Sequence, residues 1–150
     1  LRVGYLVASK AFINQCAAEV LLIDRQGNSV TELAVAELMD SGEIKRHIRR
    51  TLKIYEERRN VLTQLLQNEL GQYVSFDSPN GGLAIWLRLN EGIDVNALVK
   101  KALLEKVRIL PAPMFSELPI DINAIRLGFG SLNATELATG IQRLKRAFNA

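Results

Sequence analysis

Cysteine is nearly absent from this chain: Cys16 stands alone in 150 residues, so no intramolecular disulfide and no multi-cysteine metal site can form. Such usage fits a reducing compartment, and the expected location is cytoplasmic. Histidine is equally scarce, with His47 the only one. That leaves a transition-metal cage without ligands and a hydrolase triad without an elbow motif beside any serine. No acidic cluster has calcium-loop spacing, and nothing singles out a carboxylate pair for glycoside chemistry. Runs of about 18 apolar residues are missing, so no transmembrane helix is expected. A basic leader and a small-residue cleavage site are missing too, so no signal peptide is expected. The chain opens without Met and inside an apolar run, and it is therefore expected to be cut from a longer protein. A net charge of +3 is too small to argue for nucleic acid.

What remains is ordinary globular material, 48% apolar and 23% charged, with the length of one domain holding a sizeable core. Residues 3–7 are rich in β formers and read as a buried strand. Ser9 is placed to cap a helix over residues 10–23, with Phe12, Ile13, Cys16, Ala17, Val20 and Leu21 at helical spacing on one inward face. Cys16 thus reads as a small core residue. Residues 24–29 form a polar turn in which Gly27 stops one helix and Asn28 or Ser29 starts the next, and a second helix over residues 31–39 should turn Val30, Leu33, Ala34 and Leu38 inward. Residues 43–70 form the longest periodic segment, one helix striped by Ile44, Ile48, Leu52, Tyr55, Leu62, Leu65 and Leu66. Its other face carries Lys45, Arg46, Arg49, Arg50, Lys53, Arg58 and Arg59. Glutamates interrupt that patch, no DNA-reading motif accompanies it, and it reads as a solvated face. His47 lies on the same face without an assigned role.

Beyond Gly71 the period changes to two. Tyr73, Val74 and Phe76 pair with residues 83–89 as a hairpin around a tight turn at residues 78–82. Gly81 and Gly82 precede no helix, so they are not a phosphate-binding loop. Asp94 should cap a helix over residues 95–106 with Leu98, Leu103 and Leu104 buried. Residues 107–110 read as a strand that leaves the sheet at Pro111 and Pro113. Met114 and Phe115 follow in a loop, either plugging the core or lying where ligand sites are built. Residues 125–129 make the next strand, and Asn133 or Thr135 starts a final helix carrying Leu137, Ile141, Leu144 and Phe148. The order strand, strand, helix, strand, strand, helix implies an open sheet covered by helices.

Chemistry concentrates on arginine. Ala124-Ile125-Arg126-Leu127-Gly128-Phe129-Gly130 sets one permanent cation in an apolar strand. Arg126 must reach water, pair with a structural carboxylate, or meet an anionic ligand. On the residues alone the first two readings carry more weight, because lone arginines are mostly surface or paired.

Five stretches add to this in a fixed order: Leu1-Arg2-Val3-Gly4-Tyr5; Asp24-Arg25-Gln26-Gly27; residues 55–60 with paired Arg58 and Arg59; Pro79-Asn80-Gly81-Gly82-Leu83; and Ile125-Arg126-Leu127-Gly128-Phe129. Together they resemble the C-terminal part of a fold-type I pyridoxal-phosphate aminotransferase domain, and most closely that of MocR-type regulators of the GntR family. The resemblance implies an α/β fold with an α+β-like small domain, built from a long connecting helix and an open, mainly antiparallel or mixed sheet covered by helices. It assigns residues 1–40 to the truncated tail of a large cofactor domain, 41–71 to the connecting helix and 72–150 to the small domain. In that frame residues 1–40 should expose apolar surface, with dimerisation or local disorder as the result.

The same resemblance gives Arg2 the cofactor phosphate and Arg126 the carboxylate of an amino substrate, which reverses the weighting on Arg126. The Schiff-base lysine of the family lies before Leu1, and Lys10 is no substitute. No catalytic residue is therefore assigned, and the isolated chain is expected neither to hold pyridoxal 5'-phosphate tightly nor to transaminate. Residues 25–29 correspond to a loop near the partner's active site in the family's dimer. Ala112 replaces a usual glycine, which puts any role for its loop in doubt. The implied function is an effector-sensing domain of a transcription regulator, with a genuine aminotransferase as the alternative. The implied partners are an amino compound and a second copy of the protein. DNA would be met only through an N-terminal domain outside this chain, and no membrane is involved.

Overall fold

Side-chain caps decide where the helices begin. In the computed structural model, which describes residues 3–23, 25, 27–117 and 122–150, α1 (Lys10–Ile23) starts with the Phe12 N–H donating to Ser9 Oγ at 3.4 Å. In α2 (Ser29–Asp40) the Asn28 side chain accepts from the Thr31 N–H at 3.3 Å. Gly42, at φ 75°, turns the chain into α3 (Glu43–Leu70), a helix of 28 residues. In α4 (Val95–Leu104), Asp94 accepts from the Asn96 N–H at 2.8 Å. In α5 (Ala134–Asn149) a reciprocal box joins Asn133 to Glu136, at 3.0 Å from the Glu136 N–H and 2.7 Å back to the carboxylate. Each cap satisfies backbone donors that have no partner within the helix.

The chain divides into two units, Leu1–Arg50 and Thr51–Ala150. In the first, neither α1 nor α2 has a buried residue. Residues 3–9 are not a strand, and Tyr5 and Val7 are 89% and 85% exposed. The buried strand expected there does not form, because among the described residues no strand pairs with it and its polar backbone stays in water. The inward face expected on α1 is likewise uncovered, with Phe12, Val20 and Leu21 exposed and Cys16 only half-buried. On α2, Val30, Leu33 and Leu38 are exposed rather than inward. Amphipathic spacing marks a face able to be buried; it does not supply what buries it.

The second unit holds the core. Strands β1 (Val74–Ser75), β2 (Ala84–Leu89), β3 (Leu110–Pro111) and β4 (Ala124–Gly128) form one sheet in the order β1-β2-β4-β3. Every pairing is antiparallel, with Val74 opposite Leu89, Trp86 opposite Arg126 and Leu110 opposite Arg126. Ile85, Leu87, Leu89, Ile125 and Phe129 point to one face, where they pack with Leu62, Leu66 and Leu70 of α3, Leu98 and Ala102 of α4, and Leu137, Ile141 and Leu144 of α5. Alternation leaves Trp86, Arg88, Ala124 and Arg126 on the opposite face. Tyr73 stacks on Phe148 with centroids 4.8 Å apart, and Lys145 pairs with Glu69 at 2.8 Å. These contacts tie α5 back to α3.

Four local expectations change here. The β1–β2 connection runs from Phe76 to Leu83 and is a loop rather than a tight turn. Helix α4 stops at Leu104, because Lys106 takes a left-handed φ of 61°. The Val107 N–H then reaches the Ala102 carbonyl at 2.8 Å and the Lys106 N–H the Leu103 carbonyl at 2.9 Å, the double closure of a Schellman motif. Leu103 and Leu104 are 64% and 84% exposed, since the buried line of α4 runs through Leu98 and Ala102, four residues apart. Finally, the strand expected over residues 107–110 is displaced to Leu110–Pro111. Pro111 can belong to it because β3 is at the sheet edge, where its missing N–H breaks no interior ladder.

Candidate functional site

Arg126 lies at the centre of β4, on the sheet face turned away from the helices, and its side chain is exposed. Strand register sets Trp86 beside it from β2, and the 3-10 turn Ala112–Phe115, which follows β3, brings up Phe115. The guanidinium carbon lies over the Phe115 ring, 5.7 Å from its centroid. Phe115 in turn meets Trp86 edge-on, with centroids 5.8 Å apart and planes at 68°. A cation over an aromatic face is attracted by the ring quadrupole, and an edge-on ring pair is a favoured aromatic geometry.

Among the described residues no carboxylate pairs with Arg126. The neighbouring arginine of that face, Arg88, is matched to Asp77 at 3.4 Å. This removes the structural-carboxylate reading for the described residues and leaves an exposed fork of donors able to take a planar anion in two parallel hydrogen bonds.

Arg58 and Arg59 correct the sequence reading. Instead of belonging to a solvated face they are half-buried: Arg58 donates to the Gly130 carbonyl just beyond β4, and Arg59 to the Pro79 carbonyl at 3.2 Å. Arg59 also faces Glu56 at 3.6 Å, while its Nε is buried without a hydrogen-bond partner among the described residues. Both therefore fasten loops of the sheet to α3. The available signal was spacing, since Tyr55, Arg59, Leu62 and Leu66 share one helical stripe. Beside Arg59 a groove of about 500 Å³ opens between Tyr55, Glu56, Asn80, Gly81 and Leu83. Gly82 rims it at φ 83°, a conformation that favours glycine.

Arg2 lies outside the described residues. His47 is on the exposed part of α3, and among the described residues no group of three or more His, Cys, Asp or Glu could hold a metal ion. No helix among them is long and apolar enough to cross a membrane. None of the four strands carries a lysine, so no Schiff-base amine stands beside Arg126 on its sheet. The described donors fit the carboxylate end of an amino-acid site; they do not fit the cofactor end. Phe115 and Trp86 are the members of the site that sequence reading missed. Phe115 was placed in a loop near a strand end, and Trp86 falls within the hairpin strand expected over residues 83–89, but nothing linked either to Arg126.

A helix-backed antiparallel sheet, with Arg126 exposed on its open face and without a carboxylate partner among the described residues, defines an α/β domain. The model of the family described as aminotransferase class I and II matches residues 1–148, and the chain belongs to that family. It is 26% identical over 148 residues to an HTH-type transcriptional regulator of Bacillus subtilis, YdeL, covering 99% of this chain and 32% of the regulator. It is 27% identical over 147 residues to the 2-aminoadipate transaminase of Thermus thermophilus, covering 98% and 37%. Among solved structures, LysN of Thermus thermophilus, an α-aminoadipate aminotransferase complexed with N-(5'-phosphopyridoxyl)-L-leucine, superposes with a TM-score of 0.86 at 26% identity, over 95% of this chain and 36% of LysN. The chain thus spans about a third of the length of the relatives it matches.

Proposed function

We propose that this chain is the C-terminal part of a pyridoxal-phosphate-dependent, aminotransferase-like domain that senses an amino compound for a transcription regulator of the MocR type. Its own contribution is Arg126, which grips the ligand's carboxylate. One observation carries the reading: a permanent cation exposed on an open sheet face, with a ring beneath it and no carboxylate partner among the described residues. Bidentate pairing there would fix the orientation of the amino group. Pyridoxal phosphate, the family's cofactor, would supply the electron sink. Its Schiff-base lysine and, through Arg2, part of its phosphate grip belong to segments outside the described residues. In this reading residues 1–40 complete a large domain, 41–71 connect, and 72–150 form the small domain of a cytoplasmic homodimer.

The second reading is a genuine aminotransferase. It is favoured by the 2-aminoadipate transaminase, which matches as well as the regulators do. A winged helix encoded upstream of Leu1 supports the regulator, and its absence the enzyme. The carboxylate role is common to both. In the intact protein Arg126→Ala should weaken amino-acid binding by about 1.5–3 kcal/mol, the scale of hydrogen bonds to charged groups, and leave cofactor loading unchanged. Collapse of loading with unaltered ligand affinity would mark Arg126 as structural.

A further inference from the structure

We propose that Phe115 is the positioning residue of this site: it holds the Arg126 guanidinium in the orientation that receives a carboxylate. This rests on the carboxylate role of Arg126 proposed above.

An exposed arginine has several rotatable bonds, and ordering them opposes binding. No ion pair or hydrogen bond from a described residue fixes Arg126, so the aromatic face of Phe115, 5.7 Å from the guanidinium carbon, is the contact that can. Phe115 is itself restrained. Its 3-10 turn directly follows Pro111, which is paired with β4, and includes Pro113 and the fully buried Ala112. Trp86 closes on its ring from the strand beside Arg126. Yet Phe115 remains 48% exposed, a poor use of a large apolar ring if core packing were its only purpose. The two demands on the guanidinium are compatible, because an aromatic ring engages its face while a carboxylate engages the N–H groups at its edge. A ligand meeting a guanidinium already ordered in this way has less entropy left to lose.

Nuclear magnetic resonance of the ¹⁵N-labelled chain reads this directly through the Arg126 Nε–H signal, assigned by its disappearance in Arg126→Lys. In the wild type that signal should be displaced by the Phe115 ring current and show restricted motion. Phe115→Leu should return it to the position and mobility of a free arginine, and Phe115→Tyr should preserve it. An unchanged signal in Phe115→Leu overturns the proposal. In the intact, cofactor-loaded protein, calorimetry with L-leucine and with 3-methylbutylamine, the same molecule without its carboxylate, separates positioning from general damage. Phe115→Leu should weaken leucine binding about two- to fivefold, the scale of an exposed cation–π contact, and leave the amine unaffected. Equal losses for both would assign Phe115 to packing and overturn the inference. Leucine binding that ignores Arg126→Ala would instead refute the carboxylate role, a result distinguishable from an unchanged Nε–H signal in Phe115→Leu.

Discussion

Replacing Lys106 by glycine should stabilise this protein, although it deletes a whole side chain. Lys106 is the one non-glycine residue with positive φ among those described, at 61°, and it holds the left-handed position that closes α4. The geometry cannot relax without breaking the Val107-to-Ala102 and Lys106-to-Leu103 hydrogen bonds. A left-handed conformation costs an L-residue about 1–2 kcal/mol, and a glycine loses about 0.5–1 kcal/mol in added freedom of the unfolded chain. The difference leaves a net gain of roughly 0.5–1 kcal/mol, with glycine the residue most often found at such closures. For a chain of this size that corresponds to a rise in Tm of about 1–4 °C. Urea denaturation should show a higher midpoint with an unaltered slope. Lys106→Ala is the control, because it removes the same side chain beyond Cβ but keeps the steric conflict. Glycine should exceed both alanine and the wild type; a glycine variant no more stable than alanine would refute the idea that backbone strain is stored at this position.

Three further outcomes follow from the packing and the charges. Leu66, 0% exposed on α3, should lose about 2–5 kcal/mol on truncation to alanine, seen as a lower urea midpoint. Asn133→Ala removes the side-chain half of the α5 box, the Oδ1 that accepts from the Glu136 N–H, while keeping the backbone N–H that donates to the Glu136 carboxylate, and should cost about 1 kcal/mol, with faster amide exchange confined at first to the start of α5. The Lys145 ammonium beside Glu69, through their hydrogen bond, lowers the pKa of the Glu69 carboxyl from its ordinary 4.5, and the same bond raises that of Lys145 above its ordinary 10.5. Glu69 therefore contributes stability above its ordinary pKa that is lost as the pH falls through its lowered value, and Lys145 contributes stability below 10.5 that is lost at higher pH. Glu69→Gln should accordingly lower Tm at pH 7 and leave it unchanged in strong acid; an equal loss at both pH values would show that the pair acts through packing.

The helices were the most legible part of this chain, because their signals are local. Ser9, Asn28, Asp94 and Asn133 each sit within a few residues of the groups they cap, and all four cap in the structure. The 28 residues of α3 were read to the residue. Burial was much less legible. Leu103 and Leu104 are as apolar as Leu98, yet only Leu98 faces the sheet, and the difference is the angle each makes around α4. Short strands were read approximately, since Pro111 marks an exit from a sheet and an edge position equally well. In the arginine pair of α3, charge suggested solvent, while spacing placed Arg59 on the apolar stripe that packs inward.

Sequence by itself indicated the order of the main helices and strands beyond residue 10, where the helices start, the family to which the motifs point, and Arg126 as the residue on which the chemistry concentrates. These depend on chemistry within a few positions of each residue. Only the tertiary structure decided what surrounds that arginine. The sheet order puts β4 between β2 and β3, which sets Trp86 on one side of Arg126 and brings the Phe115 ring from the other. Those three residues are far apart along the chain and have no periodicity in common. Their meeting is fixed by strand pairing, which is a non-local choice.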